Sequence, residues 1–400
     1  MRRGYRVKAA SDAPMQVKAG PGIALLFSVA CGLAVANVYY AQPLLAVIGD
    51  GFGMSHATVG IIGTVTQIGY GAGLLLIVPL GDLVNRRRLI VGQTLLSALA
   101  LIAVALAPTG ILLLVSITAV GALAVVTQVL VAYSASMANP ADRGRVVGIV
   151  TSGIVIGILL ARTVSGTLAD LAGWRSVYAV SAVATLVMAG LLYRALPRHP
   201  SSRERISYPR LIGSVFRLFA EVPVLRTRAI LAFLIFSAFT TLATPMVLPL
   251  SAPPYSLSTT QVGLFGLAGA VGALGASRAG RLSDRGHAQR TTGIGLALML
   301  ASWLPIALLP LSLWGPVVGV LAIDFGLQSV HVANQSLIYR VRPDAQSRLT
   351  AGYMMFYSAG SATGAITSTL VYAQAGWTGV CLLGAAVSLT ALIFWAVTNR

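Results

Sequence analysis

PRHPSSRERISYPR, residues 197–210, is a markedly polar stretch in a 400-residue chain that is oily on both sides of it. The longer segment around it, 195–227, divides the chain into two parts of similar length. Each part reads as a series of apolar runs. Overall 56 % of the residues are hydrophobic and 10 % are charged, where a soluble domain carries roughly 25 % charged residues. So few polar groups cannot cover a water-facing surface. Apolar runs of about 18 residues or more match the hydrocarbon layer of a bilayer as helices. The expected fold class is therefore all-α and integral to a membrane.

Twelve transmembrane helices are expected, at 22–48, 57–80, 88–107, 110–133, 146–168, 174–194, 228–250, 261–280, 291–311, 314–338, 349–373 and 377–397. Ala34-Val35-Ala36 mimics a signal-peptide cleavage site, but the apolar run continues through NVYYAQPLL, as a spanning helix would. The chain carries 28 Lys and Arg against 10 Asp and Glu, a formal charge of +18. In a soluble protein that excess would suggest nucleic acid. Here the positions point elsewhere. Basic residues gather at the N-terminus and in the loops after spans 2, 4, 6, 8 and 10: NRRR, NPADRGR, the 195–227 segment, RLSDRGHAQR and YRVRPDAQSR. Positive loops mark the cytoplasmic side. Both termini are thus expected in the cytoplasm, with the chain multi-pass in the inner (plasma) membrane and no nucleic-acid partner. The organisation is a cytoplasmic tail at 1–21, a six-helix half at 22–194, a cytoplasmic linker at 195–227 and a second six-helix half at 228–400.

The two halves repeat one another. Ala-Gly-Trp at 172–174 returns at 375–377. Pro140, Asp142 and Arg145 return as Pro343, Asp344 and Arg348, and Asp82 returns as Asp284. All these offsets are 202 or 203 residues. Two pseudo-symmetric six-helix halves are the architecture of a carrier that binds substrate between them near the bilayer midplane.

VPLGDLVNRRR at 78–88, GRLSDRG at 280–286 and NVYYAQPLL at 37–45 carry a resemblance to a known family. The chain resembles the major facilitator superfamily, and within it the drug-proton antiporter branch of bacterial efflux carriers. In that superfamily the loop after span 2 reads G-x-x-x-D-R-x-G-R-R. Asp82, Arg86 and Arg87 match it, whereas Val78, Leu83 and Asn85 replace Gly, Arg and Gly. Gly280, Asp284 and Arg285 keep the pattern after span 8. The resemblance implies a major facilitator fold and proton-driven efflux. Two departures bear on coupling. The branch places an arginine in span 4 three residues before a glutamine; here Gln128 is kept and Val125 holds the arginine position. The branch's G-P-x-x-G-G motif in span 5 is replaced by Ala161-Arg162-Thr163-Val164-Ser165-Gly166.

Span 10 is the most informative helix. Asp324, Gln328, His331 and Gln335 fall at i, i+4, i+7 and i+11, on one helical face. Such a stripe avoids lipid and is expected to line a water-accessible cavity. Asp324 is the one acid deep inside an expected span, so it is the first candidate proton carrier, and His331 is the second. The alternative for both is a structural hydrogen-bond network. Further cavity candidates are Asn37, Tyr40 and Gln42 in span 1, Gln67 and Tyr70 in span 2, Gln128 in span 4, and Tyr353 and Tyr357 in span 11. Amide and aromatic groups suit varied organic substrates, and each also serves as packing between helices. Asp82 with Arg86 and Arg87, and Asp284 with Arg285, are candidate gating charges that would pair with the other half in one state only. Gly153, Gly157, Ala161 and Ser165 form a small-residue ladder in span 5, repeated by Gly360, Gly364 and Ser368 in span 11. These ladders are expected to be packing surfaces between the halves.

Arg162 lies 17 residues beyond Arg145, or about 25 Å along a helix. An arginine at the centre of a span costs roughly 2.5–3.5 kcal/mol on insertion scales. Three roles are open: snorkelling to the outer interface, binding an anionic substrate, or pairing with Asp324.

The expected function is secondary transport, with efflux of a small organic molecule (a drug or metabolite) coupled to protons by alternating access. Import of a sugar, nucleoside or other metabolite shares the architecture. No G-x-x-x-x-G-K-[ST] loop occurs, which argues against ATP drive within the chain. His56, His199, His287 and His331 have no metal-ligand spacing. No metal, no cofactor and no enzymatic activity are expected, and a non-transporting sensor is a remote alternative. The expected partners are a small-molecule substrate, protons and the lipid bilayer, with a monomer favoured.

Overall fold

A computed structural model describes residues 21–55, 57–137, 143–197, 208–264, 282, 285–341 and 346–399. The described chain is helical, and its helices follow the expected spans. Span 1 is Pro21–Tyr39 continued by Ala41–Phe52. Span 2 is Ile61–Leu76, span 3 Arg86–Ala105, and span 4 Gly110–Leu123 continued by Val126–Met137. Span 5 is Arg143–Ala172, span 6 Trp174–Ala195, and span 7 Pro223–Ala243 continued by Val247–Ser251. Span 8 is described over Thr259–Leu264. Span 9 is Ala288–Ala301 with Trp303–Ala307, and span 10 is Trp314–Val341. Spans 11 and 12 share one helical stretch, Gln346–Thr398, broken at Gly376.

Prolines account for several breaks, because a proline lacks the N–H that bonds four residues back and its ring clashes with that carbonyl. Pro43 places the break at Tyr39–Tyr40, and Pro305 places one after Ala301. The Ala-Gly-Trp repeat marks equivalent corners. Gly173 has φ 77° and ψ 159°, and Gly376 has φ 60° and ψ −156°. Both conformations belong to glycine.

The 195–227 segment is more than a linker. Tyr208–Glu221 forms a helix. Ile212, Val215, Leu218 and Phe219 give it an apolar side. Val215 and Leu218 are buried, Phe219 packs on Phe356 of span 11 at 5.4 Å between ring centroids, and Tyr208 Oη donates to the Leu76 carbonyl of span 2 at 2.5 Å.

The small-residue ladders pack within each half, which corrects the expectation that they lie between halves. A side chain on Gly153 would strike the Ser28 carbonyl, and one on Gly157 would strike Gly32, both in span 1. Gly360 and Gly364 meet the Phe233 and Ser237 carbonyls of span 7 in the same way. Contacts between the halves use the neighbouring face. Gly263 of span 8 abuts the Arg162 carbonyl of span 5, and Gly60 of span 2 abuts the Ala365 carbonyl of span 11.

These cross-half contacts concentrate at the end of the bundle remote from the termini. Thr64 Oγ1 donates to the Ala362 carbonyl at 3.1 Å, and Thr369 Oγ1 to the Ala57 carbonyl at 3.3 Å. Asp170 accepts from the Thr259 and Thr260 amides at 3.2 and 2.8 Å. One buried apolar cluster, including Ile48, Leu113, Trp174, Leu250, Trp303 and Trp377, runs through both halves at that end. Towards the termini each half has its own cluster, around Phe27, Ile90 and Leu130 in one and around Leu225, Ile338 and Leu349 in the other. A smaller cluster around Tyr70, Leu74 and Val125 takes in Met354 and Tyr357 of span 11. The halves are thus joined most extensively at the remote end. Large apolar side chains such as Leu96, Leu99, Ile111, Val187, Leu304 and Leu382 point outward around the bundle, as lipid-facing residues do.

Candidate functional site

Where the halves approach each other midway along the bundle, polar side chains from several spans converge. Tyr39 and Tyr357, from spans 1 and 11, share a hydrogen bond between hydroxyls at 3.0 Å. The Tyr357 ring stands edge-on to Phe236 of span 7 at 4.1 Å and to Tyr70 of span 2 at 6.2 Å. Tyr70 Oη accepts from Gln128 Nε2 of span 4 at 3.3 Å. Gln67, one turn before Tyr70, is buried and leaves Oε1 without a partner. Five spans from both halves therefore meet in one aromatic and amide lining.

Two charges flank this lining. Arg162 is 8 % exposed and Asp324 is 6 % exposed. They act on each other electrostatically, and Tyr39 lies in the field of both. No direct bond joins them: Arg162 Nε and Asp324 Oδ2 are both buried without a hydrogen-bond partner. An unpartnered buried polar atom is costly. The Arg162 guanidinium carbon sits 5.8 Å from the Phe239 ring centroid. Arg162 also borders a crevice of about 20 Å³ shared with Gln42, Pro43, Ala243, Met246, Val247 and Val262.

His331 occupies a second network, nearer the termini along span 10. Its Nδ1 bonds Tyr353 Oη at 3.0 Å, and its ring meets Phe236 at 5.3 Å. Asn334 Nδ2 donates to the same hydroxyl at 3.5 Å, and Arg228 donates to Asn334 Oδ1 at 3.5 Å. Gln328 and Gln335, on the same stripe of span 10, are half-buried.

Other expected cavity residues face elsewhere. Asn37 Oδ1 accepts from Ser181 Oγ of span 6 at 2.6 Å, and Asn37 borders a cleft inside the first half with Thr94, Ser97 and Thr185. Tyr40 packs edge-on to Tyr178 of span 6 at 6.5 Å. Asn37 and Tyr40, three residues apart on one helical face, thus pack on span 6, while Gln42 borders a crevice shared with spans 7 and 8.

Arg86 and Arg87 are also held within the first half. Arg86 donates to Ser136 Oγ at 2.9 Å and to the Gly81 carbonyl at 3.3 Å. Arg87 donates to the Tyr193 carbonyl at 2.5 Å and covers the Tyr193 ring at 4.4 Å. Asn85 caps the helix below them by accepting from the Arg87 and Arg88 amides at 3.0 and 3.3 Å. Asp82 lies in the short helix Leu80–Leu83, its side chain outside the described set. Asp284 is outside the described residues, and Arg285 is exposed in a turn.

Four residues of these networks escaped the sequence reading. Arg228 opens the expected span 7, beside the basic 195–227 segment, yet it is 6 % exposed. It is a second buried arginine beside Arg162. Tyr39 and Asn334 stand next to residues that were singled out, and Phe236 carried no polar signal. Helical spacing was the available signal for two of them: Asn334 is i+3 from His331, and Tyr39 is i−3 from Gln42.

Comparison with known proteins matches residues 26–344 to the Major Facilitator Superfamily. A relative, the uncharacterized transporter YgaY of Escherichia coli O157:H7, is 47 % identical over 375 residues, covering 94 % of this chain and 95 % of the relative. A "probable sugar efflux transporter" of Helicobacter pylori strain P12 is 25 % identical over 381 residues, covering 92 % and 93 %. Among solved structures, a bacterial homolog of the human lysosomal transporter Spinster, inward-facing and occupied, superposes with a TM-score of 0.75 at 16 % identity, covering 95 % and 96 %.

Proposed function

The chain belongs to the Major Facilitator Superfamily, and we propose that this multi-pass membrane transporter exports a small organic molecule with proton coupling, by alternating access. The observation that carries the coupling is the pair of buried charges, Arg162 from one half and Asp324 from the other, each with an unpartnered atom and each in the other's field. A carboxylate so placed changes the charge balance between the halves when it takes or loses a proton. With both termini in the cytoplasm, as the basic loops imply, the more extensively joined end is the outer one. Likeness to a relative named for sugar efflux supports the outward direction. The direction of the proton depends on the substrate: a cation competes with it at Asp324, whereas an anion accompanies it.

The test is a panel of candidate substrates added to vesicles that hold the purified chain and a trapped pH-sensitive dye. Substrate addition is expected to move protons in the wild type, and Asp324→Asn is expected to abolish that movement while leaving substrate exchange intact. Proton movement in Asp324→Asn at the wild-type rate and pH dependence would remove Asp324 from the mechanism.

A further inference from the structure

The crevice beside Arg162 lies on the interface between the halves. Gln42, Pro43 and Arg162 come from spans 1 and 5, whereas Ala243, Met246, Val247 and Val262 come from spans 7 and 8. A ligand there touches both moving bodies. The walls are apolar except at two points, the Arg162 guanidinium and the Gln42 amide. Both are unsatisfied: Arg162 Nε and Gln42 Oε1 are buried without partners. Phe239 lies against the guanidinium, leaving its N–H edge as the feature that can take an acceptor. A glutamine amide turns about its last torsion to present either oxygen or N–H₂. The site therefore offers a forked cation, an amide donor and dry walls, the recognition set for a carboxylate. The low-dielectric surround strengthens that contact.

We infer that Arg162 and Gln42 form the binding point for the carboxylate of a small organic anion, and that this anion is the transported substrate. The second clause rests on the transport reading above. Pairing with Asp324 does not use up Arg162, because the two make no direct bond and Asp324 Oδ2 is itself unpartnered. The crevice, at about 20 Å³, holds about one water or the head of a carboxylate, the rest of the molecule extending toward the Tyr39–Tyr357 lining. Val262 adjoins Gly263, which packs on the Arg162 backbone, so an occupant sits directly beneath the joined end. The charged and titratable groups around Asp324 are Arg162 of span 5 and Tyr39 of span 1. A carboxylate on Arg162 brings a further negative charge toward Asp324, so occupancy of the anion point and the proton on Asp324 are coupled.

The experiment uses the purified full chain and three carboxylates (benzoate, lactate and succinate), each beside its neutral amide, with benzylamine and chloride as controls. Binding is read by thermal stabilisation and by intrinsic tryptophan fluorescence. At least one carboxylate is expected to bind saturably while its amide does not. Arg162→Ala is expected to weaken that binding roughly 10- to 100-fold, and Gln42→Ala roughly 3- to 10-fold. Arg162→Lys, which keeps the charge and guards against a folding defect, is expected to retain weakened binding. The assignment is overturned if no carboxylate binds in an Arg162-dependent way, if the amides, benzylamine or chloride bind as well, or if Arg162→Ala leaves binding unchanged. Uptake into vesicles separates the two claims. Arg162-dependent binding without movement across the membrane keeps the anion site and defeats transport. Movement of amines or neutral molecules, unaffected by Arg162→Ala, keeps transport and defeats the site.

Discussion

Span 5 and span 11 are equivalent elements of the two halves, and they pack alike. Span 5 lays Gly153 and Gly157 on span 1, and its Arg162 carbonyl receives Gly263 of span 8. Span 11 lays Gly360 and Gly364 on span 7, and its Ala365 carbonyl receives Gly60 of span 2. Arg162 and Ala365 are 203 residues apart, as are Gly60 and Gly263. The backbones thus obey one pseudo-symmetry while one side chain breaks it. At the equivalent point, span 11 carries a methyl group and span 5 carries a permanent cation. The difference separates scaffold from chemistry: the scaffold is the part that repeats, and the candidate site is the part that does not. Asp324 fits the same rule, because its counterpart at position 121 is a glycine packed on the Thr66 carbonyl of span 2.

The strongest way to break the symmetric part is to fill the two glycine contacts. Gly60→Leu and Gly263→Leu each drive a side chain into backbone, which neither helix can move aside locally. Each is expected to reduce transport to roughly a hundredth or less, with the remote end held apart. Cysteine labelling of Thr64→Cys from outside the cell, together with vesicle uptake, reads both effects. Tolerance of one glycine change and not the other would mean that the two contacts are not equivalent.

Next in size is the attempt to move the asymmetric part. Ala365→Arg adds a further arginine within a span and is expected to cost roughly 2.5–3.5 kcal/mol of stability. In an Arg162→Ala background it is not expected to restore function, because Gln42 and Val262 line the span 5 position. Denaturation in detergent gives the first quantity and vesicle uptake the second. Recovery of uptake in the double variant would show that the position of the charge is immaterial.

Smaller again are the two corners. Gly173→Ala and Gly376→Ala place a Cβ on backbones at φ 77° and 60°, each expected to lose about 1–2 kcal/mol. Melting both variants checks whether the losses match, as the shared Ala-Gly-Trp signature requires.

The sequence made the scaffold legible because lipid imposes a coarse rule: apolar runs of spanning length, broken by charged loops. The repeat offset then located equivalent helices, and the Gly173 and Gly376 corners explain why Ala-Gly-Trp recurs. The site was legible only in its charges. Asp324 and Arg162 stand out because a charge in a span is rare. Helical periodicity sets Asn37 and Tyr40 on a different face from Gln42, but it does not say which face meets the partner half. Arg228 was hidden because basic residues near span ends ordinarily report topology. Ile212, Val215, Leu218 and Phe219 did carry a helical pattern, but polar neighbours in 195–227 masked it.

The gentlest probe of the comparison is Asp170. At the end of span 5 remote from the termini its carboxylate accepts from the first amides of span 8, Thr259 and Thr260. It acts as a helix cap supplied by the other half. The equivalent position in span 11 is Ala373, and the corresponding contact there is the neutral Thr369 hydroxyl on the Ala57 carbonyl. One seam of the remote end is therefore charged and the other is not. Loss of such a cap costs about 1 kcal/mol, which converts to roughly a fivefold shift of population toward the state open at that end. Asp170→Ala is expected to raise outside labelling of Thr64→Cys by that factor. Asp170→Asn, whose amide oxygen can still accept, is expected to fall between the two. Thr369→Val, which removes the neutral contact, is expected to shift labelling less than Asp170→Ala does. If Thr369→Val has the larger effect, the remote end is held chiefly by the span 2 and span 11 seam, and the charge on span 5 is incidental to closure.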